Sequence, residues 1–260
     1  MPLEDNMTKI GFVSSPKPDA QESLKIMKKL YNCVSPKKAD IIVALGGDGT
    51  MLKSLHNFLH LNKPIYGMNR GHIGFLMNQY SDKNLESRLA EAISYKLCPL
   101  KIKCFDKKGK ITESLAFNDV SMIRSSSKIA KIKIQINGKT RINEFIGDGC
   151  LIATPAGSSA YNLSLRGPVI PVGAKVLALT PISPYRPRRW RGALLNNNVK
   201  ITLYSIDSDL RPVRAEADFM QFPNIRKLEI QLEKKIHVNL LFDPGHNLEE
   251  RIINEQFNSS

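Results

Sequence analysis

Through the first hundred residues, short apolar runs alternate with stretches of helical spacing. Lys9-Ile-Gly-Phe-Val13 reads as a strand, and Asp19 to Asn32 carries the period of an amphipathic helix. Ile41 to Leu45 is a continuous apolar run, as expected of a strand buried on both faces, and helical spacing resumes from Met51 to Leu59. Pro64-Ile-Tyr-Gly-Met68 and Asn84 to Ser94 repeat the strand-then-helix order. Such alternation predicts a parallel, Rossmann-like sheet flanked by helices. Near residue 98 the pattern changes to strands alone: Leu100 to Phe105, Ile111 to Ala116, Val120 to Ile123 and Ile129 to Ile136. Asn137-Gly138 then separates Ile132–Ile136 from Arg141–Phe145, a strong hairpin signal. Lys200 to Tyr204, Leu228 to Leu232 and Ile236 to Leu241 extend the strand pattern to about residue 242. The expected fold is an α/β N-terminal domain over 1–98 and a β-rich, β-sandwich-like C-terminal domain over 99–242. Residues 243–260, with a helix over Leu248 to Phe257, are expected to return to the first domain.

Composition narrows the class of protein. A chain of 260 residues with 42% hydrophobic content has enough apolar material for one large core or two modest ones. No apolar stretch approaches the roughly 18 residues needed to span a bilayer, so no membrane is expected. The N-terminal MPLEDNMTKIGFV lacks the layout of a signal peptide, which makes the cytoplasm the expected location. Cys33, Cys98, Cys104 and Cys150 are scattered without zinc-ligand spacing, so they are read as reduced, mostly buried thiols, and no metal ligands are assigned. The net charge of +14 admits nucleic acid, an anionic membrane or small polyanions as partners. The cations are dispersed from Lys25 to Arg251 without aromatic interleaving, which argues against nucleic acid. The densest cluster, Arg186-Pro-Arg-Arg-Trp-Arg191, reads either as a nucleic-acid patch or as a solvated loop.

The second strand runs straight into Gly46-Gly47-Asp48-Gly49-Thr50. Glycines there let the backbone turn and approach a ligand closely, and a following helix N-terminus presents free N–H groups to phosphate. Asp48 does not suit a simple phosphate seat, because a carboxylate repels the ligand unless it accepts a proton or holds a metal. Three later segments carry further chemistry. Asn118-Asp119 precedes a strand; the pair is suited to vicinal ribose hydroxyls but is equally common in a plain turn. Gly147-Asp148-Gly149 leads to Thr154-Pro-Ala-Gly-Ser-Ser-Ala-Tyr161-Asn-Leu-Ser164, whose small hydroxyls and flat Tyr161 suit a nucleotide. Ser158 and Ser159 also read as N-caps of a helix starting near Ala160. Gly71-His72-Ile-Gly-Phe75 lies at the carboxyl end of the third strand, where open α/β sheets bind ligands, although a lone His is more often structural.

In order and spacing, these segments resemble the NAD kinase family, bacterial type, over roughly residues 40 to 245: GGDG at 46–49, Asn-Asp at 118–119, GDG at 147–149 and TPAGSSAY at 154–161. The GGDG loop alone also occurs in lipid kinases and phosphofructokinases. The resemblance implies phosphorylation of the adenosine ribose 2′-hydroxyl of NAD, with ATP or polyphosphate as donor and Mg²⁺ or another divalent cation as cofactor. It implies Asp48 as general base. Gly46, Gly47 and Gly49 would form the phosphate-approach surface, Leu52 and Phe75 would line the NAD site, and Lys53 would lie near phosphates. Asn118, Asp119, Asp148, Ala156, Ser158, Ser159, Ala160, Tyr161 and Ser164 would complete the pocket. Dimers or tetramers, with part of each site supplied by a neighbour, are implied too. The chain departs from the family pattern at Ile146, Ser159, Arg166, Tyr185 and Phe219. A diacylglycerol-type lipid kinase and a non-catalytic nucleotide- or RNA-binding protein remain as rival readings.

Overall fold

A computed structural model describes residues 8–71 and 74–245. They form two compact units, the first running up to Leu97 and resuming at His237, the second spanning Cys98–Ile236. The first unit holds β1 (Ile10–Ser14), α1 (Pro18–Leu30), β2 (Ile41–Gly46), α2 (Asp48–Phe58), β3 (Ile65–Asn69), α3 (Leu85–Glu91) and β4 (Ile93–Leu97). In α1, Pro18 pre-sets the first turn, Asp19 sits at the positive end of the dipole and Lys28 and Lys29 at the negative end. Its buried face is Ala20, Ser23 and Met27, and Met27 joins Val43, Leu45 and Tyr66 in the core. β1, β2 and β3 pair in parallel, and β2 is buried on both faces, as its unbroken apolar run predicts.

Two expectations for this unit change. Helical spacing from Asn84 to Ser94 ends at Glu91, where the chain turns into the edge strand β4. The late strand Val238–Phe242, read from its alternation as part of the β-rich domain, pairs in parallel with β3 and antiparallel with β4. It therefore extends the α/β sheet, and the second unit ends near residue 236 rather than 242. Periodicity identifies a strand but not its partner, and this partner lies some 175 positions earlier, at Ile65. Asp243 then fastens the strand end, accepting bonds from the Tyr66 hydroxyl (2.6 Å) and the Arg88 guanidinium (2.6 Å). The expected helix over 248–257 lies outside the described residues.

The second unit is a two-sheet sandwich. One sheet contains β5 (Leu100–Asp106), β6 (Ile111–Ala116), β8 (Ala130–Ile136), β9 (Lys139–Gly147), β13 (Ile201–Ser205) and β16 (Ile225–Leu232). The other contains β7 (Asp119–Arg124), β10 (Gly149–Ala153), β11 (Val176–Ile182), β12 (Ala193–Asn196), β14 (Val213–Ala217) and β15 (Met220–Phe222). Inward residues of both, such as Ile102, Ile134 and Ile230 facing Val120, Ile152 and Val213, make one core. Asn137 and Gly138 both take positive φ (50° and 76°), so the β8–β9 hairpin turns where the sequence indicates. β10 has no exposed residue, because a segment around Leu165, Ile170 and Ala174 covers its other face at Leu151 and Ala153. That cover carries the TPAGSSAY stretch, which contributes a 3-10 turn (Ala156–Ser159) and the short helix α4 (Tyr161–Ser164).

Candidate functional site

In the first unit, helix α2 begins at Asp48 with Gly47 as its N-cap, three residues earlier than helical spacing suggests. None of Gly46, Gly47 and Gly49 has a positive φ, so the loop does not use the conformational freedom of glycine. Close approach is the relevant property. A Cβ on Gly46 would run into Thr50 of the next turn, whereas Cβ atoms on Gly47 or Gly49 would meet nothing within 4 Å. Packing thus demands only the first of the three glycines, and the backbone at the other two is left bare. The Asp48 carboxylate sits in the first helical turn, where the dipole favours negative charge, and accepts N–H bonds from Phe75 (2.8 Å) and Leu76 (2.9 Å), one on each oxygen. Those bonds bring Phe75 beside Asp48 and fix both carboxylate oxygens in space. Leu52 is half-buried and Lys53 exposed on the same helix. His72 lies outside the described residues.

In the second unit, Asn118 forms a bend before β7, and its geometry is set by a residue 100 positions later. Asp218 accepts N–H bonds from Phe117 (2.8 Å), Asn118 (3.0 Å) and Asp119 (3.2 Å). Its own φ of 53° places it in the left-handed region, which aspartate tolerates better than most residues. From the other side, Thr154 donates its hydroxyl to the Phe117 carbonyl (2.6 Å) and accepts from Gly157 N–H (3.0 Å). A Cβ on Gly157 would collide with the Asn118 carbonyl, so glycine is required where the two segments cross. The Asn118 Oδ1 atom is buried with no hydrogen-bond partner, an orphan acceptor of the kind a ligand donor relieves. Burial, then the nearby Asp218 and Glu216 carboxylates, pushes the Asp119 carboxyl up to about 7. The dipeptide is therefore a clamped bend rather than a plain turn.

Among the TPAGSSAY residues, Tyr161 is 42% exposed, Ser164 is exposed, Ser159 and Ala160 are half-buried and Ala156 is buried. Ser158 departs from expectation. It is wholly buried, donating to the Pro155 carbonyl (2.7 Å) and accepting from Ile170 N–H (2.8 Å), which ties the 3-10 turn to the cover of β10. Its hydroxyl supports the segment and is not open to a ligand. Neither Ser158 nor Ser159 caps α4, whose N-cap is Ala160 with no side-chain bond. Asp148 is separated from the rest. β7 and β10 run antiparallel with Asp119 opposite Ala153 and Ile123 opposite Gly149, so Asp148 sits at the far end of the pair from Asn118 and Asp119. At about 3.3 Å per residue, five residues put Asp148 roughly 17 Å from Asp119 along the strands. There the Asp148 carboxylate accepts a 2.6 Å bond from the Arg124 Nε.

The first unit thus presents a carboxylate fixed beside bare glycines, and the second a clamped Asn-Asp bend with an orphan acceptor. Family models decide the rest. The ATP-NAD kinase N-terminal domain matches residues 2–96, and the ATP-NAD kinase C-terminal domain matches residues 117–209. The chain belongs to the NAD kinase family. It is similar to NAD kinase of Cereibacter sphaeroides (49% identical over 249 residues, 96% of this chain and 98% of that protein). It is also similar to NAD kinase of Rhizobium meliloti (46% over 250 residues, 96% and 97%). In fold it resembles yeast NADH kinase complexed with NADH (TM-score 0.82, 21% identity, 99% of this chain and 90% of that one). The fold of an Archaeoglobus fulgidus NAD kinase in complex with ATP is similar as well (TM-score 0.73, 21%, 94% and 98%). Membership of the NAD kinase family makes the chain a phosphotransferase and sets aside the lipid-kinase and non-catalytic readings.

Among the described residues no three His, Cys, Asp or Glu side chains gather as a metal cage, and no helix is long and apolar enough to cross a membrane. Cys104 and Cys150 are buried thiols, pushed up by desolvation, while Cys33 and Cys98 are only half-buried. Sequence reasoning noted only the neighbouring Phe219 as a departure from the family pattern, assigned no role to Asp218 and missed Arg124 altogether. Nothing local marks either residue, because each acts on a segment far away in the chain.

Proposed function

We propose that this chain phosphorylates the 2′-hydroxyl of the adenosine ribose of NAD, giving NADP, with ATP as donor and Asp48 as the residue that accepts the hydroxyl proton. The observation that carries the assignment is the Asp48 carboxylate held by two backbone N–H groups between glycines whose side-chain space is open. Two N–H bonds fix where the carboxylate lies, so Asp48 works chiefly by orientation. Phosphoryl transfer through a loose transition state suits this, because the nucleophile needs aligning and its proton is lost late. The relatives' names and the ATP and NADH of the two solved structures support these substrates.

Asn118 and Asp119 bind NAD in this reading, the orphan Asn118 Oδ1 taking a donor from it and the ionised Asp119 accepting hydroxyl protons. Tyr161, Ser159 and Ser164 offer a ring face and free hydroxyls, and Ser158 acts only through packing. Mg²⁺ would be held chiefly by phosphate oxygens of the donor and would neutralise their charge, in keeping with its preference for one or two carboxylates plus substrate oxygens. The distance of Asp148 from Asp119 along the strands suits a homo-oligomer in which Asp148 serves the site of a neighbouring copy. The test is NADP formation from NAD with ATP or polyphosphate, each with and without Mg²⁺, for the wild type and Asp48→Asn. Expected is turnover only with a divalent cation, and an Asp48→Asn protein that still binds NAD but turns over about 10²–10⁴-fold more slowly. Equal turnover in the variant refutes the role of Asp48, and absence of NADP with every donor refutes the activity.

A further inference from the structure

The turn that offers the Phe75 and Leu76 N–H groups to Asp48 belongs to no helix or strand, so its position must be set from elsewhere. Asn78 sets it. The parallel pairing between β3 and the final strand (Val238–Phe242) runs only as far as Tyr66 and Leu241, and Asn78 sits in the fork beyond. Its backbone pairs with β3: the N–H donates to the Gly67 carbonyl (2.8 Å) and the carbonyl accepts from Asn69 N–H (2.8 Å). Its side chain pairs with the final strand: Nδ2 donates to the Leu241 carbonyl (3.0 Å) and Oδ1 accepts from Asp243 N–H (2.9 Å). Nδ2 also donates back to the Gly67 carbonyl (3.0 Å). A primary amide carries the donor and acceptor of a peptide group, so this one residue continues the ladder on both sides where the strands part.

Asn78 is wholly buried, and each of its polar atoms is bonded. Aspartate there would set an oxygen against two carbonyls, glutamine is a methylene too long, and serine is too short to reach both Leu241 and Asp243. Met77 fixes the position between Asn78 and the turn. A Cβ on Gly67 would strike both the Met51 methyl and the Met77 sulfur, so the two methionines meet over that glycine. Met51 lies on the buried face of α2, in the turn after Asp48. The helix that carries the carboxylate and the turn that orients it are thereby fastened to the same point of β3.

We propose that Asn78 is a positioning residue for phosphoryl transfer: by holding the Phe75–Leu76 turn in the fork of the sheet, it aims the Asp48 carboxylate. Asn78 acts only through Asp48, so its role rests on Asp48 being the group that accepts the hydroxyl proton. The experiment is a double-mutant cycle in the full chain, with Asn78→Ser and Asp48→Asn made singly and together and kcat and KM measured for NAD and ATP. Asn78→Ser is expected to lower kcat by about 10- to 100-fold, with KM for either substrate changed by less than about twofold. In the Asp48→Asn background the same substitution is expected to lower kcat by less than about threefold, because the carboxylate it would have misplaced is gone. Met27→Ala, which opens a cavity under α1, is expected to lower the melting temperature and leave kcat at the wild-type value. Amide hydrogen exchange on the wild type needs no variant: the Phe75 and Leu76 N–H groups should exchange as slowly as those of Asn69 and Asp243 at the fork. A folded Asn78→Ser protein with wild-type kcat, an equal loss in both backgrounds, or fast exchange at Phe75 and Leu76 overturns the role of Asn78 and leaves that of Asp48 standing. Wild-type turnover in Asp48→Asn overturns both.

Discussion

Asp218→Asn separates the clamp on the Asn118–Asp119 bend, the proposed NAD contact, from the bend itself. Asparagine keeps the size of the side chain and its tolerance for a φ of 53°, so the turn at 218 remains accessible. Its oxygen replaces Oδ1 and still accepts from the Asn118 and Asp119 N–H groups, but its NH₂ now faces the Phe117 N–H that Oδ2 accepts at 2.8 Å. One buried donor loses its partner and two bonds lose their charge assistance, a cost of about 2 kcal/mol. If the whole cost falls on the NAD-competent bend, KM for NAD rises by up to about 30-fold, with a smaller change in kcat and none in KM for ATP. A second readout distinguishes this from simple loosening. Burial and then the charge of Asp218 raise the Asp119 carboxyl to about 7, so NAD binding through ionised Asp119 weakens as pH falls through that value. Neutralising Asp218 removes the second cause, and the acid limb of kcat/KM for NAD moves to lower pH. Steady-state kinetics in NAD across pH 5–9 measure both effects. An unchanged KM for NAD together with an acid limb at its original pH refutes the reasoning.

Gly47→Ala tests the bare backbone of the GGDG segment. Gly47 has an ordinary extended conformation (φ −113°, ψ −171°) and open space for a Cβ, so the melting temperature should hold while turnover drops by about tenfold or more. Loss of folding instead would make the glycine structural. Asp119→Asn should alter the pH dependence of stability. With a native value near 7 against an ordinary 3.8, the folded wild type binds the extra proton between pH 4 and 7, so its stability declines as pH rises through that window and is lowest above it. The variant should lack this decline and melt higher than the wild type above pH 7, as read by thermal unfolding at several pH values. Asp243→Ala removes the acceptor shared by Tyr66 and Arg88 and leaves a half-buried guanidinium without its counter-ion. Urea denaturation should record a loss of about 2–3 kcal/mol, and an unchanged midpoint would mean that the network contributes nothing.

The sequence alone made much of this protein legible, wherever the signal is local. The apolar run of β2 meets Gly46-Gly47-Asp48-Gly49, Asn137-Gly138 requires a hairpin, and alternation marks strands such as β5 and β8. β11 escaped detection because it is buried on both faces and carries Pro181, which is tolerated because β12 pairs only with Val176–Leu179. β15, at three residues, is too short to show a period.

The sequence also named the chemistry of the site, because close backbone approach and proton acceptance require particular residue types at fixed spacing. Tertiary structure decided which of those residues keep an open side chain and what holds them. The Ser158 hydroxyl is consumed by Ile170, Asp148 lies at the far end of its strand pair, and Asp48 is oriented by amides 27 and 28 residues away. Asp218 shapes a bend 100 residues before it, and the final strand pairs with β3. These outcomes rest on contacts between distant segments. Residue type and local period specify which groups are available, and only the folded chain specifies which of them meet.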